Sequence, residues 1–242
     1  MSMIRHLSHS SVSLFHTCGK RWEYHYRHGL PGDTSDSLTI GSAVHKAIAD
    51  RLRDPSIDIV ESFATHLIFA DQALTEEARE GIWRTNLAKP EFLAILDAYT
   101  PPAAIEQRIE YTIPGVSVPF VGFIDCITQD GTIVDFKTAA RKWSTAAHEE
   151  TVQMHYYLRG AQQMGLHVNG KMQHVVLTAK GEFQTFDAEW SPGKYLWLEQ
   201  VVRDVDAAIT AEVFTRNPAG CFAFGKKCSY WEQCRGGHGD ES

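Results

Sequence analysis

The chain has 242 residues, of which 43% are hydrophobic and 22% charged, the balance of an ordinary globular protein with room for one elaborated domain or two small ones. Its formal net charge of -7 argues against a protein that coats duplex nucleic acid by neutralising phosphates. No apolar run approaches the length that spans a bilayer, and residues 1–9 lack a signal-peptide core, so a cytoplasmic location is expected.

In chain order, residues 10–28 read as a helix. Ser10, Ser11 or Ser13 is placed to cap it, and Leu14, Phe15, Cys18, Trp22 and Tyr26 recur at helical spacing. Residues 31–33 (Pro-Gly-Asp) break it. A second helix is expected over 42–53, with Val44, Ala47, Ile48 and Leu52 on one face. Residues 55–100 read as a helical insertion broken near Thr75, Gly81 and Pro90.

The pattern then turns to strands at 105–113, 118–127 and 132–138. An Asp130-Gly131 turn joins the second and third. A helix at 148–165, strands at 173–179 and 183–190, and a helix at 192–212 follow. The tail from 217 to 235 is rich in Gly and Cys with little regular pattern, and 236–242 is expected to be disordered. The whole predicts one α/β domain over 1–235, a mixed central sheet flanked by helices.

The chemistry centres on Gly122-Phe123-Ile124-Asp125 and on Asp135-Phe136-Lys137. Strand side chains alternate, so Asp135 and Lys137 share a face and Phe136 points away. The Asp-Gly hairpin can bring Asp125 beside Asp135. Both acids sit in apolar runs that should be buried (Val118, Phe120, Val121, Phe123 and Ile124 before Asp125). Buried carboxylates are costly unless they hold a metal or a partner. D-x-K alone is common as a solvated ion pair, and it is the apolar context that favours a divalent-metal site. His45 lies on an otherwise apolar helix, as a structural residue or a further ligand. Gln153 and Tyr157, four apart, share a helix face and can support a nucleotide or Lys137.

Five cysteines are present: Cys18, Cys126, Cys221, Cys228 and Cys234. The last three form C-x6-C-x5-C, which in a cytoplasmic chain points to metal or an iron–sulfur cluster rather than disulfides. Cys18 is the best fourth ligand. Zinc, completed by Cys18 or His238, is the alternative, although zinc sites usually carry tighter pairs. Cys126 should be a core residue.

Taken in order, these motifs resemble the PD-(D/E)XK nuclease superfamily. More narrowly, they resemble RecB-like exonucleases with a four-cysteine iron–sulfur cluster, found in CRISPR-associated and phage proteins. The resemblance runs from Ser11-Val12-Ser13-Leu14-Phe15 and Cys18 through Gly41-x3-His45, Gly122-x2-Asp125, Asp135-x-Lys137 and Gln153-x3-Tyr157 to Cys234. It departs from the family at C-x6-C, where C-x2-C is frequent. The resemblance implies a DNA exonuclease acting on single strands or ends, in recombination, repair or CRISPR-type adaptation. Asp125, Asp135 and His45 would then ligate Mg²⁺ or Mn²⁺, with the Phe136 carbonyl added. Glu106 or Glu110 would supply another carboxylate. Lys137 would orient the attacking water, with Gln153 and Tyr157 in support. Cys18, Cys221, Cys228 and Cys234 would hold a 4Fe-4S cluster. No Walker G-x4-G-K-[S/T] occurs, so a helicase or recombination partner would be a separate protein. A non-catalytic nucleic-acid-binding adaptor that keeps fold and cluster is the competing reading.

Overall fold

The computed structural model describes residues 4–32, 35–70, 81–145, 152–225 and 227–235. They divide into two compact units, Thr34–Ile109 with Phe123–Pro192, and Met1–Asp33 with Glu110–Gly122 and Gly193–Ser242. Among the described residues no helix is long and apolar enough to cross a membrane. The chain opens with α1 (His9–Thr17) and α2 (Gly19–Trp22), and these belong to the second unit.

The first unit begins with α3 (Asp36–Arg53), six residues earlier than the apolar periodicity suggests. The reason is local: Ser35 caps the helix by accepting the Leu38 N–H. α4 (Ile59–Phe69) is capped by Asp58, which accepts from Val60 and Glu61. α5 (Ile82–Leu87) and α6 (Pro90–Ala98) follow, the latter with proline in its first turn, where the missing N–H costs nothing. The expected breaks near Gly81 and Pro90 are present, and Thr75 lies outside the described residues.

Five strands form one sheet in the order β1 (Ala104–Tyr111), β2 (Phe120–Ile127), β3 (Ile133–Ala139), β4 (Lys171–Thr178), β5 (Phe183–Glu189). β2 and β3 are antiparallel, as are β4 and β5. β3 and β4 are parallel, so the chain needs a crossover between them, and α7 (Gln153–Gln163) supplies it. Helix was expected from 148, but residues 146–151 lie outside the described set. Cys126, Val134, Phe136, Val175 and Leu177 form one continuous core with Val44, Ile48, Phe63, Leu87 and Phe92 of the helices.

In the other unit, the predicted single helix at 10–28 is interrupted. α1 is capped by Ser8, not by Ser10, Ser11 or Ser13, and ends at Cys18, whose backbone is extended. α2 passes into a π-helix, Glu23–Arg27. The break lets Gly19 approach the main chain of Thr215, where an added Cβ would stand 3.0 Å from the Thr215 nitrogen. Lys20 donates its N–H to the Thr215 carbonyl at 3.1 Å. α8 (Pro192–Thr210) follows. The tail is more regular than expected, with a 3-10 helix at Pro218–Gly225 and α9 at Trp231–Arg235. Asn217 starts the first piece by accepting the Ala219 N–H. Residues 236–242, expected to be disordered, lie outside the described set.

Candidate active site

The β2–β3 turn sets the register of the two acids. Thr128 and Thr132 close it by backbone hydrogen bonding, and Gly131 takes φ +89°, a conformation that side-chain-bearing residues rarely adopt. Pairing runs through Ile127–Ile133 and Cys126–Val134. The next step of that register would oppose Asp125 and Asp135, but regular pairing stops there. The Asp125 carboxylate takes over, accepting the Phe136 N–H at 2.8 Å. The strands thus part where the acids lie. The Phe136 ring is buried in the helix-covered core, as alternation requires.

His45, from α3, reaches Asp125 with Nδ1 3.4 Å from Oδ1. Lys137 Nζ donates to Asp135 Oδ1 at 3.2 Å and to Gln153 Oε1 at 2.8 Å. The Gln153 amide in turn donates to the Tyr157 hydroxyl. The sequence reading therefore placed His45, Asp125, Asp135, Lys137, Gln153 and Tyr157 in one neighbourhood, and they are together.

Asp135 is buried, and burial, against the partial relief given by Lys137, raises its pKa to about 6. Its Oδ2 lies 2.9 Å from Lys137 Nζ, yet accepts no hydrogen bond of good geometry among the described residues. Burial disfavours the His45 imidazolium, but the hydrogen bond and charge of Asp125, joined by Asp135, outweigh it, and its pKa is raised. Burial, helped by the Asp135 charge, also holds the Tyr157 phenol protonated. Two carboxylates, an imidazole and an under-satisfied buried oxygen suit a hard divalent cation in kind. Among the described residues, no three His, Cys, Asp or Glu side chains stand close enough to hold a single ion.

Three features of the site were not decided by the sequence. Of Glu106 and Glu110, only Glu106 lines the small pocket that includes His45, Asp125 and Phe136, whose empty space, mouth included, is about 220 Å³. It does so from a left-handed backbone, φ 48°, and pairs with Arg53. No pattern announces that kink. His174 stands beside Asp135 in the parallel register, Nε2 3.9 Å from Oδ2, with both side chains almost fully buried. Parallel register is invisible to local sequence. Phe123, read as part of a buried run, is 55% exposed. It falls on the Asp125 face, which opens here, and not on the packed face of Ile124 and Cys126.

A family model described as the PD-(D/E)XK nuclease superfamily matches residues 6–235, nearly the whole chain. The chain belongs to the PD-(D/E)XK nuclease superfamily. One solved structure shares the fold. A candidate exonuclease from Eubacterium rectale superposes with a TM-score of 0.62 at 13% identity, covering 88% of this chain and 84% of that one. An alkaline exonuclease from Laribacter hongkongensis also aligns, at 16% identity over 71% of this chain and 91% of that one, but with a TM-score of only 0.32. No curated protein matches the chain.

This PD-(D/E)XK chain has five free thiols. Cys126 is buried in the core, and its thiol is pushed up to about 12 by burial and then by Asp125, which leaves it inert. The other four, Cys18, Cys221, Cys228 and Cys234, line a single cavity with Tyr24, Tyr230 and Trp231, all within the unit that holds both chain ends. Its empty space, mouth included, is about 340 Å³. The aromatic residues near the N-terminus serve packing: Trp22 is fully buried, stacks on Phe214 at 5.7 Å and donates to Ser11.

Proposed function

We propose that this PD-(D/E)XK protein is a metal-dependent DNA exonuclease acting on single strands or DNA ends. The observation that carries the reading is the hydrogen-bonded chain Tyr157–Gln153–Lys137–Asp135 facing Asp125 and His45 where β2 and β3 part. Asp125 and Asp135 would hold Mg²⁺ or Mn²⁺, with His45, the Phe136 carbonyl and Glu106 as further donors that would have to draw in around the ion. When bound, the ion polarises the scissile phosphate and acidifies a water. Lys137, aimed by Gln153, holds the attacking water in line and faces the negative charge that builds on the phosphate oxygens. Tyr157 keeps the Gln153 amide turned so that its carbonyl meets the lysine. Attack breaks the P–O bond and leaves a phosphate on one fragment and a hydroxyl on the other.

The four cysteines that line one cavity would be the ligands of an iron–sulfur cluster of 4Fe-4S type, closing in around it when it binds. The donor set fits in kind, four thiols in a mainly apolar, aromatic setting. The setting proposed is recombination, repair or CRISPR-type adaptation, with any helicase as a separate partner.

The deciding experiment incubates purified protein with 5′- or 3′-labelled single strands and Mg²⁺ or Mn²⁺. Wild type degrades them. Lys137→Ala loses at least about a hundredfold in rate while its melting temperature stays put. Equal degradation by both proteins would refute the assignment, and binding without cleavage under any metal would identify an adaptor.

A further inference from the structure

We propose that Phe123 is a stacking platform for an unpaired nucleobase beside the scissile phosphate; this rests on the nuclease reading above. Phe123 stands on β2 two residues from Asp125, hence on the same face and about 7 Å away along the strand. Around it the strand is packed: Val121, Ile124 and Ile127 are each at most 5% exposed, whereas Phe123 is 55% exposed. Folding gains nothing from a phenyl ring left in water at a strand position whose neighbours all pack.

The platform also lies beside the chemistry. The Phe123 backbone is within polar reach of the Tyr157 hydroxyl. Tyr157 holds Gln153, and Gln153 holds Lys137 at 2.8 Å. A base resting on Phe123 would therefore present its own phosphodiester to Lys137 and Asp125 at a set distance. Stacking on an aromatic face tolerates every base, as an enzyme that digests arbitrary sequence requires. Inside a duplex both faces of a base are already covered, so the platform selects a base that has left the helix, in a single strand or a frayed end.

The test uses the full-length protein with single strands that lack one base at the first or second nucleotide from the attacked end. Wild type should lose about tenfold in kcat/KM on one of these abasic strands. Phe123→Ala should show that loss already on intact strands, mainly as a raised KM, and lose nothing more when the base is removed. Phe123→Trp should restore the wild-type pattern. If Phe123→Ala discriminates intact from abasic strands as wild type does, the platform does not exist. Lys137→Ala runs alongside on intact strands, and its equality with wild type would instead overturn the nuclease reading. A second readout needs no turnover: 2-aminopurine near the strand end is quenched on binding Asp135→Asn. Quenching that survives in Asp135→Asn/Phe123→Ala refutes the platform, and its loss supports it.

Discussion

The buried carboxylate of Asp135 shows what the site gives up in stability. Its pKa is raised to about 6, above the value of an unfolded aspartate, because burial penalises the charge. The protonated form is therefore favoured on folding. This contribution is complete below the unfolded pKa and is lost as pH rises through about 6. At pH 8, without divalent ions, the folded protein carries a costly anion. Asp135→Asn should accordingly raise the melting temperature of the metal-free protein by a few degrees at pH 8, and little at pH 4. The same variant should abolish the thermal shift produced by Mg²⁺ or Mn²⁺. His45 is raised too, through Asp125, so protons would compete with the proposed metal at both groups. Metal uptake should release protons, and apparent affinity should weaken as pH falls below about 6. Calorimetry in buffers of different ionisation enthalpy measures both.

At the scale of elements, the β2–β3 hairpin turns two distant acids into one site. Gly131 is the pivot: its φ is +89°, and a Cβ there would stand 3.0 Å from the Asn169 nitrogen and the Val168 Cα. Gly131→Ala should cost about 1–3 kcal/mol, read as a lowered denaturation midpoint, with activity falling only as the folded fraction falls. β1 makes its contribution through irregularity. The left-handed Glu106 costs about 1–2 kcal/mol of backbone strain and delivers a carboxylate to the cavity with His45 and Asp125. Glu106→Gly should relieve the strain yet weaken metal binding, and an isotherm with Mn²⁺ separates the two effects.

At the scale of the molecule, the four-cysteine cavity gathers Cys18 near one chain end and Cys221, Cys228 and Cys234 near the other. A metal centre here would close a loop almost as long as the chain, where cross-linking removes the most unfolded-state entropy. Protein purified without oxygen should absorb in the visible range through thiolate-to-iron charge transfer. Cys228→Ser should bleach that absorption and lower the melting temperature, whereas Cys126→Ser should leave the absorption intact.

The elements and most of the site were legible in sequence because their determinants are local. Apolar periodicity marks α3 and the strands, Asp130-Gly131 marks the turn, and alternation puts Asp135 and Lys137 on one face with Phe136 in the core. The motif order from Cys18 to Cys234 pointed to the family that the whole-chain match then established. Tertiary structure decided the rest. The stop in β2–β3 pairing, which gives Asp125 the Phe136 amide, depends on strands diverging. His174 beside Asp135 depends on a parallel register set across a helical crossover. The choice of Glu106 over Glu110 and the exposure of Phe123 depend on which face the sheet leaves open. Periodicity can say that a residue alternates; only packing decides which of the two faces is covered.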